Sequence, residues 1–221
     1  MNKVDFLSDT NIFIKLYHAK VDSTDLCNQY VKEFSRLGFV EPVHYEINRT
    51  PNVSYKHKQN FLSVYNSLSD YYDVVYIDEL DILTQQIYID EMNNFGYQDY
   101  KGIEKAVKDI GEKATILLSH LLEIPIIHTD DYEFIDYVND NRNKFPDTEL
   151  IDLNTVLQKL IPNDKERIAI NKSIQQNDTV HKRKVNKQAK LDRENENEKI
   201  EKEKMEKSLE KLLRKYNKPL L

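Results

Sequence analysis

The sequence has little of several residue types on which common classes of protein depend. Its 221 residues include one cysteine, no tryptophan, four glycines and six prolines. A single cysteine excludes a disulfide framework and a zinc site built from several thiolates. The chain also lacks an apolar run of roughly 18 residues, the length that a membrane span needs, and acidic Asp5 and Asp9 are not typical of a signal peptide. We therefore expect a cytoplasmic protein with no membrane partner.

Charge is divided unevenly along the chain. The formal net charge is −6, yet residues 164–221 carry 17 Lys and Arg against 11 Asp and Glu, and the remaining residues carry 15 against 27. Apolar runs such as residues 4–7 and 124–127 also stop before Pro162. This pattern predicts a globular domain over residues 1–162 and a charged, largely helical C-terminal extension over residues 163–221.

The C-terminal extension contains two features of interest. A basic cluster is a candidate nucleic-acid-binding segment, because phosphates are attracted to positive charge; its members are Lys182, Arg183, Lys184, Lys187 and Lys190. Residues 199–221 have leucines at helical spacing and predict an amphipathic helix that docks on the domain, on another protein or on a second copy in a homo-oligomer. The alternative is a solvated helical extension of marginal stability with no binding role.

Within residues 1–162, short apolar runs alternate with stretches of helical period, a pattern typical of α/β proteins with a parallel sheet. Strands are predicted over residues 4–8, 39–40, 73–77, 126–129 and 150–153. Helices are predicted over residues 11–19, 25–37, 41–46, 55–68, 80–93 and 112–123, with Gly38 ending the second of them.

Acidic residues directly follow the two most apolar predicted strands. Asp9 follows residues 4–8, and Asp131, with Asp130 beside it, follows residues 126–129. Ligand crevices in open α/β sheets form at the carboxyl ends of the strands. An acid in this position is also a common helix cap, so the spacing alone leaves both roles open.

Three segments together resemble the PIN domain family, namely Ser8–Ile14, Val40–Arg49 and Ile110–Phe134. The first contains a strand ending in Asp9-Thr10-Asn11, and the second contains Glu46 on a helix that opens with Glu41-Pro42. The third contains Gly111-Glu112-Lys113-Ala114 and closes with Thr129-Asp130-Asp131-Tyr132-Glu133-Phe134. Many relatives have Asp in place of Glu112, and Asp109 is a competing candidate for that role.

The resemblance implies a three-layer α/β/α sandwich with a central parallel sheet, and a Mg²⁺- or Mn²⁺-dependent endoribonuclease. It assigns catalysis to Asp9, Glu46, Glu112 and Asp131, with Asp130 as an additional metal ligand. Thr10, Asn11 and Thr129 would brace the ligands. A cation held by these carboxylates would activate water for attack on an RNA phosphodiester. The same resemblance allows a toxin-like nuclease that an inhibitory protein partner restrains.

Two other interpretations stay open at this stage. An inactive PIN-like scaffold could bind RNA or a protein through its basic extension, whereas a metal-dependent phosphatase on another α/β fold lacks a motif of its own. The histidines form no ligand pattern and are expected to be structural. Asp78, which follows the predicted strand over residues 73–77, is expected to cap a helix.

Overall fold

The computed structural model describes residues 4–19, 25–49, 55–104 and 108–177. Its centre is a five-stranded, wholly parallel sheet in the order β3-β2-β1-β4-β5. The strands are β1 (Phe6–Ser8), β2 (Leu37–Val40), β3 (Tyr72–Val75), β4 (Ile126–His128) and β5 (Glu149–Ile151). Helices flank this sheet on both sides, so the predicted three-layer α/β/α sandwich is confirmed.

Nine α-helices are found in the described part of the chain. They are α1 (Thr10–His18), α2 (Leu26–Glu33), α3 (Glu41–Arg49), α4 (Tyr55–Ser67), α5 (Ile82–Asn94), α6 (Ile110–Leu121), α7 (Tyr132–Asp140), α8 (Leu153–Leu160) and α9 (residues 164–177). Helix α6 packs against β1, β2 and β4 and also contacts α3 and α5, while α2 packs against α1 and α8. No helix in these ranges is long and apolar enough to cross a bilayer.

The strand order places a topological switch point between β1 and β4. From β1 the chain moves to β2 and then to β3 on one side, whereas from β4 it moves to β5 on the other side. Neighbouring βα connections therefore leave the sheet in opposite directions at this point, which opens a crevice outside the carboxyl ends of β1 and β4. This crevice lies where Asp9 and Asp131 leave their strands.

The helix predicted over residues 25–37 was wrong in its last four residues. Helix α2 ends at Glu33, Arg36 takes a positive φ of 77°, and the chain enters β2 at Leu37. Gly38 therefore lies inside a strand rather than capping a helix. A Cβ atom on Gly38 would lie 2.6 Å from Cγ1 of Val4, so glycine is required here by close packing.

Replacing Gly38 by alanine is expected to destabilise the fold by about 1–3 kcal/mol, the usual cost of overpacking a core. The added methyl group collides with Val4, whose branched side chain has few alternative rotamers. Urea unfolding of Gly38→Ala alone and combined with Val4→Ala, which removes the Cγ atoms that the new methyl group meets, separates overpacking from the backbone effect. A Gly38→Ala variant as stable as the wild type would show that this approach is not tight.

The first part of the C-terminal extension packs against the domain. Ile170 and Ile174 of α9 are buried, and the Asn177 side chain donates a 2.8 Å hydrogen bond to the carbonyl of His18. The basic cluster over residues 182–190 and the amphipathic stretch over residues 199–221 lie outside the described residues. Their roles stay predictions.

Candidate metal site

The carboxyl ends of β1 and β4 bring Asp9 and Asp131 to the same edge of the sheet. The two strands are neighbours, with Ser8 opposite His128, and the Asp9 amide donates a 2.9 Å hydrogen bond to the His128 carbonyl. The side chain of Asn11 then links the acids, since its Nδ2 donates to Oδ2 of Asp9 at 3.2 Å and to Oδ2 of Asp131 at 3.4 Å. Two acids far apart in the sequence thus share one polar contact.

Thr129 supports the same pair of acids from the end of β4. Its hydroxyl donates to Oδ2 of Asp9 at 3.2 Å and accepts from the backbone amide of Asp131 at 3.2 Å. The hydroxyl therefore fixes the position of one carboxylate and the backbone of the other. A buried threonine in this place makes a linkage that valine, its isostere, would lose.

Asp131 serves as a helix cap and still faces the crevice. Its Oδ1 accepts hydrogen bonds from the amides of Glu133 and Phe134 in the first turn of α7. Its Oδ2 is turned to Asn11. The two roles that the sequence left open are compatible, because the carboxylate uses a different oxygen for each.

Glu46 reaches the site from α3. The Thr10 hydroxyl donates a 2.9 Å hydrogen bond to Oε2 of Glu46, which ties α3 to the start of α1. Glu112 lies in the first turn of α6, which packs against α3. Asp9 is buried and Glu46 is half-buried, whereas Glu112 and Asp131 line an open cleft.

The protein environment makes Asp9, Glu46 and Glu112 unusually hard to ionise. Burial raises the pKa of Asp9 to about 7, and the charge of Glu46 adds to the effect. Burial likewise raises the pKa of Glu46 to about 7, helped by Glu112, and that of Glu112 to about 7, helped by Asp9. Because the negative charges of these three acids repel one another, the ionised cluster destabilises the fold unless a cation is bound in the site.

One oxygen of the cluster has no partner. Asp9 is only 1% exposed, and its Oδ1 makes no hydrogen bond to any part of the chain that the structure describes. Leaving a buried carboxylate oxygen unsatisfied is costly, so such an atom calls for a ligand. This atom is the clearest sign that the cluster receives something from outside the chain.

The donor set fits a hard divalent cation. Within the described ranges no three His, Cys, Asp or Glu side chains form a ready-made metal cage. Mg²⁺ does not require one, because it usually keeps several waters and is held by one or two carboxylates. Asp9 and Asp131, joined through Asn11, provide such a pair, and Glu46 and Glu112 provide further negative charge.

Three other acids that the sequence suggested lie in different surroundings. Asp130 forms an ion pair with Lys15, with 2.5 Å between Oδ2 and Nζ, and is not among the residues that line the cleft with Asp131. Asp78 pairs with Lys101 at 2.5 Å. Asp109, at the start of α6 with a φ of 61°, lines the cleft beside Glu112. Of the three, Asp109 is therefore the one that the structure brings to the site.

The cleft above the acids includes residues that the sequence did not single out. It encloses about 220 Å³ and is lined by Asp109, Glu112, Lys113, Asp131, Glu133, Phe134 and Tyr137. The Lys113 ammonium lies 2.9 Å from the centre of the Tyr137 ring, a cation–π contact. Glu133 and Tyr137 share one face of α7, a helix that was not predicted.

The histidines of the described residues lie outside this cleft. His128 is buried in β4, where its Nδ1 is 2.8 Å from the Tyr30 hydroxyl, and burial lowers its pKa to about 4. His44 contacts the Tyr65 hydroxyl at 2.8 Å. Both are structural contacts within the core and along α3.

Gly111 keeps room for the Glu46 carboxylate. A Cβ atom at residue 111 would lie 2.9 Å from Oε2 of Glu46 and 3.2 Å from Cγ2 of Val43. We expect Gly111→Ala to displace Glu46, and so to lower divalent-metal affinity by roughly 10-fold or more, although alanine favours a helix. Calorimetric titration with Mn²⁺ measures this change. Unchanged affinity in both Gly111→Ala and Glu46→Gln would remove Glu46 from the site.

No protein-family model, curated protein or solved structure matches this chain.

Proposed function

We propose that this protein is a divalent-metal-dependent endoribonuclease of the PIN type. The observation that carries the proposal is the unpartnered Oδ1 of buried Asp9, surrounded by carboxyl groups whose pKa values are raised to about 7. The resemblance in the sequence supplies the class of substrate, and the convergence of Asp9, Glu46, Glu112 and Asp131 supplies the chemistry.

Asp9 and Asp131 would hold the cation, because Asn11 donates to Oδ2 of each and so keeps the two carboxylates adjacent, while Oδ1 of Asp9 is left without a partner. When bound, a Mg²⁺ or Mn²⁺ ion lowers the pKa of water and offsets charge on the phosphate and the leaving oxygen. Thr129 fixes the Asp9 carboxylate, and Thr10 fixes that of Glu46. These hydrogen bonds place the ligands before the substrate arrives.

Glu46 and Glu112 would be ionised in the metal-loaded protein. Their pKa values are raised to about 7 when no metal is bound, and a cation in the cluster would lower them, so that both could accept a proton at neutral pH. Glu112 lines the open cleft, so it is the one that can meet a water or the leaving 3′-oxygen. Glu46, held by Thr10, would tune the charge of the cluster.

An acidic cleft binds a polyanion only if its charge is offset. Asp109, Glu112, Asp131 and Glu133 all line the cleft, against one lysine, Lys113. A divalent cation supplies the missing positive charge at the phosphate. The protein should therefore bind and cut RNA in the presence of Mg²⁺ or Mn²⁺ and lose activity in EDTA.

Cleavage of single-stranded RNA tests the proposal. Wild type should produce internal cuts in Mn²⁺ or Mg²⁺, ending in 5′-phosphates. Asp9→Asn should lose this activity. Its matched control, Asp140→Asn, makes the same change on the exposed end of α7 and should cut like the wild type. Binding of Mn²⁺ without any cleavage of RNA or DNA would instead favour the inactive scaffold.

A further inference from the structure

A second cavity lies beside the acidic cleft, on the other side of the Asp130–Asp131 pair. It encloses about 230 Å³ between the domain and α9. Its polar lining consists of Lys15, Asp130, Tyr132, Asn154, Asn171 and Gln175. Drug-sized ligands occupy larger pockets, of roughly 300–1,000 Å³, so this cavity suits one small planar group.

Two residues that line the second cavity are sequence neighbours of Asp131, one of the proposed metal ligands. Asp131 lines the acidic cleft, and its neighbours Asp130 and Tyr132 line the second cavity. Lys15 follows Asn11 by one turn of α1, a separation of about 5–6 Å between Cβ atoms. A group bound in this cavity is therefore adjacent to a phosphate bound at Asp9 and Asp131.

The lining has the chemistry that recognises a nucleobase. The Asn171 amide donates a 2.8 Å hydrogen bond to Oδ1 of Asn154, which aligns the two amides side by side. Asn154 then contributes N–H donors and Asn171 a carbonyl acceptor. Each nucleobase carries neighbouring donors and acceptors on its edge, and amide side chains are common partners for them.

Two further features complete a base-binding pocket. Tyr132 is 75% exposed at the cavity, so its ring is free to stack on a base. Buried Leu153 and Ile174 provide apolar lining. Lys15, ion-paired with Asp130, adds an ammonium group to the lining of this cavity, where it could contact the sugar–phosphate chain.

We propose that this cavity binds the base of an unpaired nucleotide next to the phosphate that is cut. The inference rests on the proposed nuclease function and deepens it, because it predicts single-stranded substrates and a base preference. It also gives α9 a role: the helix supplies Asn171, Ile174 and Gln175 and is held to α1 through Asn177 and His18.

Binding can be measured separately from cleavage. Fluorescently labelled homopolymers of A, C, G and U are titrated with the full-length protein in Ca²⁺, which offsets the acidic charge in place of Mg²⁺, and a gel run beside each titration checks that the RNA stays intact. Wild type should bind at least one homopolymer several-fold more tightly than another. Asn154→Ala combined with Asn171→Ala should abolish that preference, and Tyr132→Ala should weaken binding about 10-fold. Tyr132→Phe should bind like the wild type.

Controls separate this pocket from general loss of structure and from the nuclease proposal. Gln86→Ala removes an amide from the exposed face of α5 and should leave both the preference and the melting temperature unchanged. If the pocket variants keep the wild-type preference and affinity, the pocket is overturned even when RNA is cut. If wild type never cuts RNA but the variants lose the preference, the pocket stands and the nuclease proposal falls.

Discussion

Asp9→Asn is expected to abolish RNA cleavage while making the metal-free protein more stable. The substitution removes a buried carboxylate whose pKa is raised to about 7 by burial and by the charge of Glu46. Asparagine keeps an oxygen that can accept from Thr129 and Asn11, so the geometry is preserved. Activity should fall by at least about 100-fold, since a cation ligand is lost.

The gain in stability follows from the raised pKa of Asp9. Each unit by which folding raises the pKa of an acid disfavours its ionised form in the folded state by about 1.4 kcal/mol. Allowing for imperfect hydrogen bonding of the new amide, we expect a gain on the order of 2 kcal/mol in EDTA above neutral pH. The melting temperature of a protein of this size should rise by roughly 4–8 °C.

A loss of activity together with a loss of stability would contradict the assignment of Asp9 as a ligand, because it would show that Asp9 is needed for the fold. Asp140→Asn, the exposed control, should change neither property. Adding saturating Mn²⁺ should stabilise the wild type and Asp140→Asn but leave Asp9→Asn nearly unchanged. The wild type should therefore be less stable than Asp9→Asn in EDTA and more stable than it in Mn²⁺. This change of order identifies a metal ligand rather than a structural residue.

The second large effect is a pH dependence of stability that is opposite to the usual one for acids. The pKa values of Asp9, Glu46 and Glu112 are raised to about 7 in the folded state, against 3.8 for a free Asp and 4.5 for a free Glu. Between these values the folded protein holds more protons than the unfolded chain. Stability must then fall as pH rises.

In EDTA the free energy of unfolding should decline from about pH 4 to pH 7 and then level off, as the cluster loses its protons in the folded state. The difference between wild type and Asp9→Asn isolates this contribution from that of other acids, and should widen by about 2 kcal/mol over the window. Urea titrations at a series of pH values measure it. In Mg²⁺ the decline should shrink, because the cation stabilises the ionised acids. A wild-type curve parallel to that of Asp9→Asn would show that the pKa of Asp9 is not raised in the folded protein.

Much of the sheet could be predicted because its strands are short apolar runs ending in polar residues. Strands β1 and β4 and helices α1, α3 and α6 were expected within a few residues of their observed ends. The error around Gly38 arose because glycine ends helices and also allows close packing in strands, and only the position of Val4 distinguishes the two. Helix α7 was not predicted because it buries only Phe134 and Val138, which give a weak helical period. Helix α8 was not predicted because Leu153, its first residue, also ends the apolar run that predicts a strand.

The candidate site could be predicted only in part from the sequence. Strand order decides that Asp9 and Asp131 meet, and their wide separation along the chain carries no such information by itself. The pairing of Asp130 with Lys15 depends on the rotamer of one side chain beside a neighbouring helix. Lys113 and Tyr137 form one wall of the cleft through a contact between α6 and α7. No local sequence pattern predicts such a contact.

The most direct test is a crystal structure of the full chain grown with Mn²⁺ and recorded at a wavelength where manganese scatters anomalously. We predict an anomalous peak within coordination distance of Oδ1 of Asp9 and of the Asp131 carboxylate, and no peak at that place in Asp9→Asn. A wild-type map with no peak among these carboxylates at saturating Mn²⁺ would contradict the metal site and the nuclease function built on it.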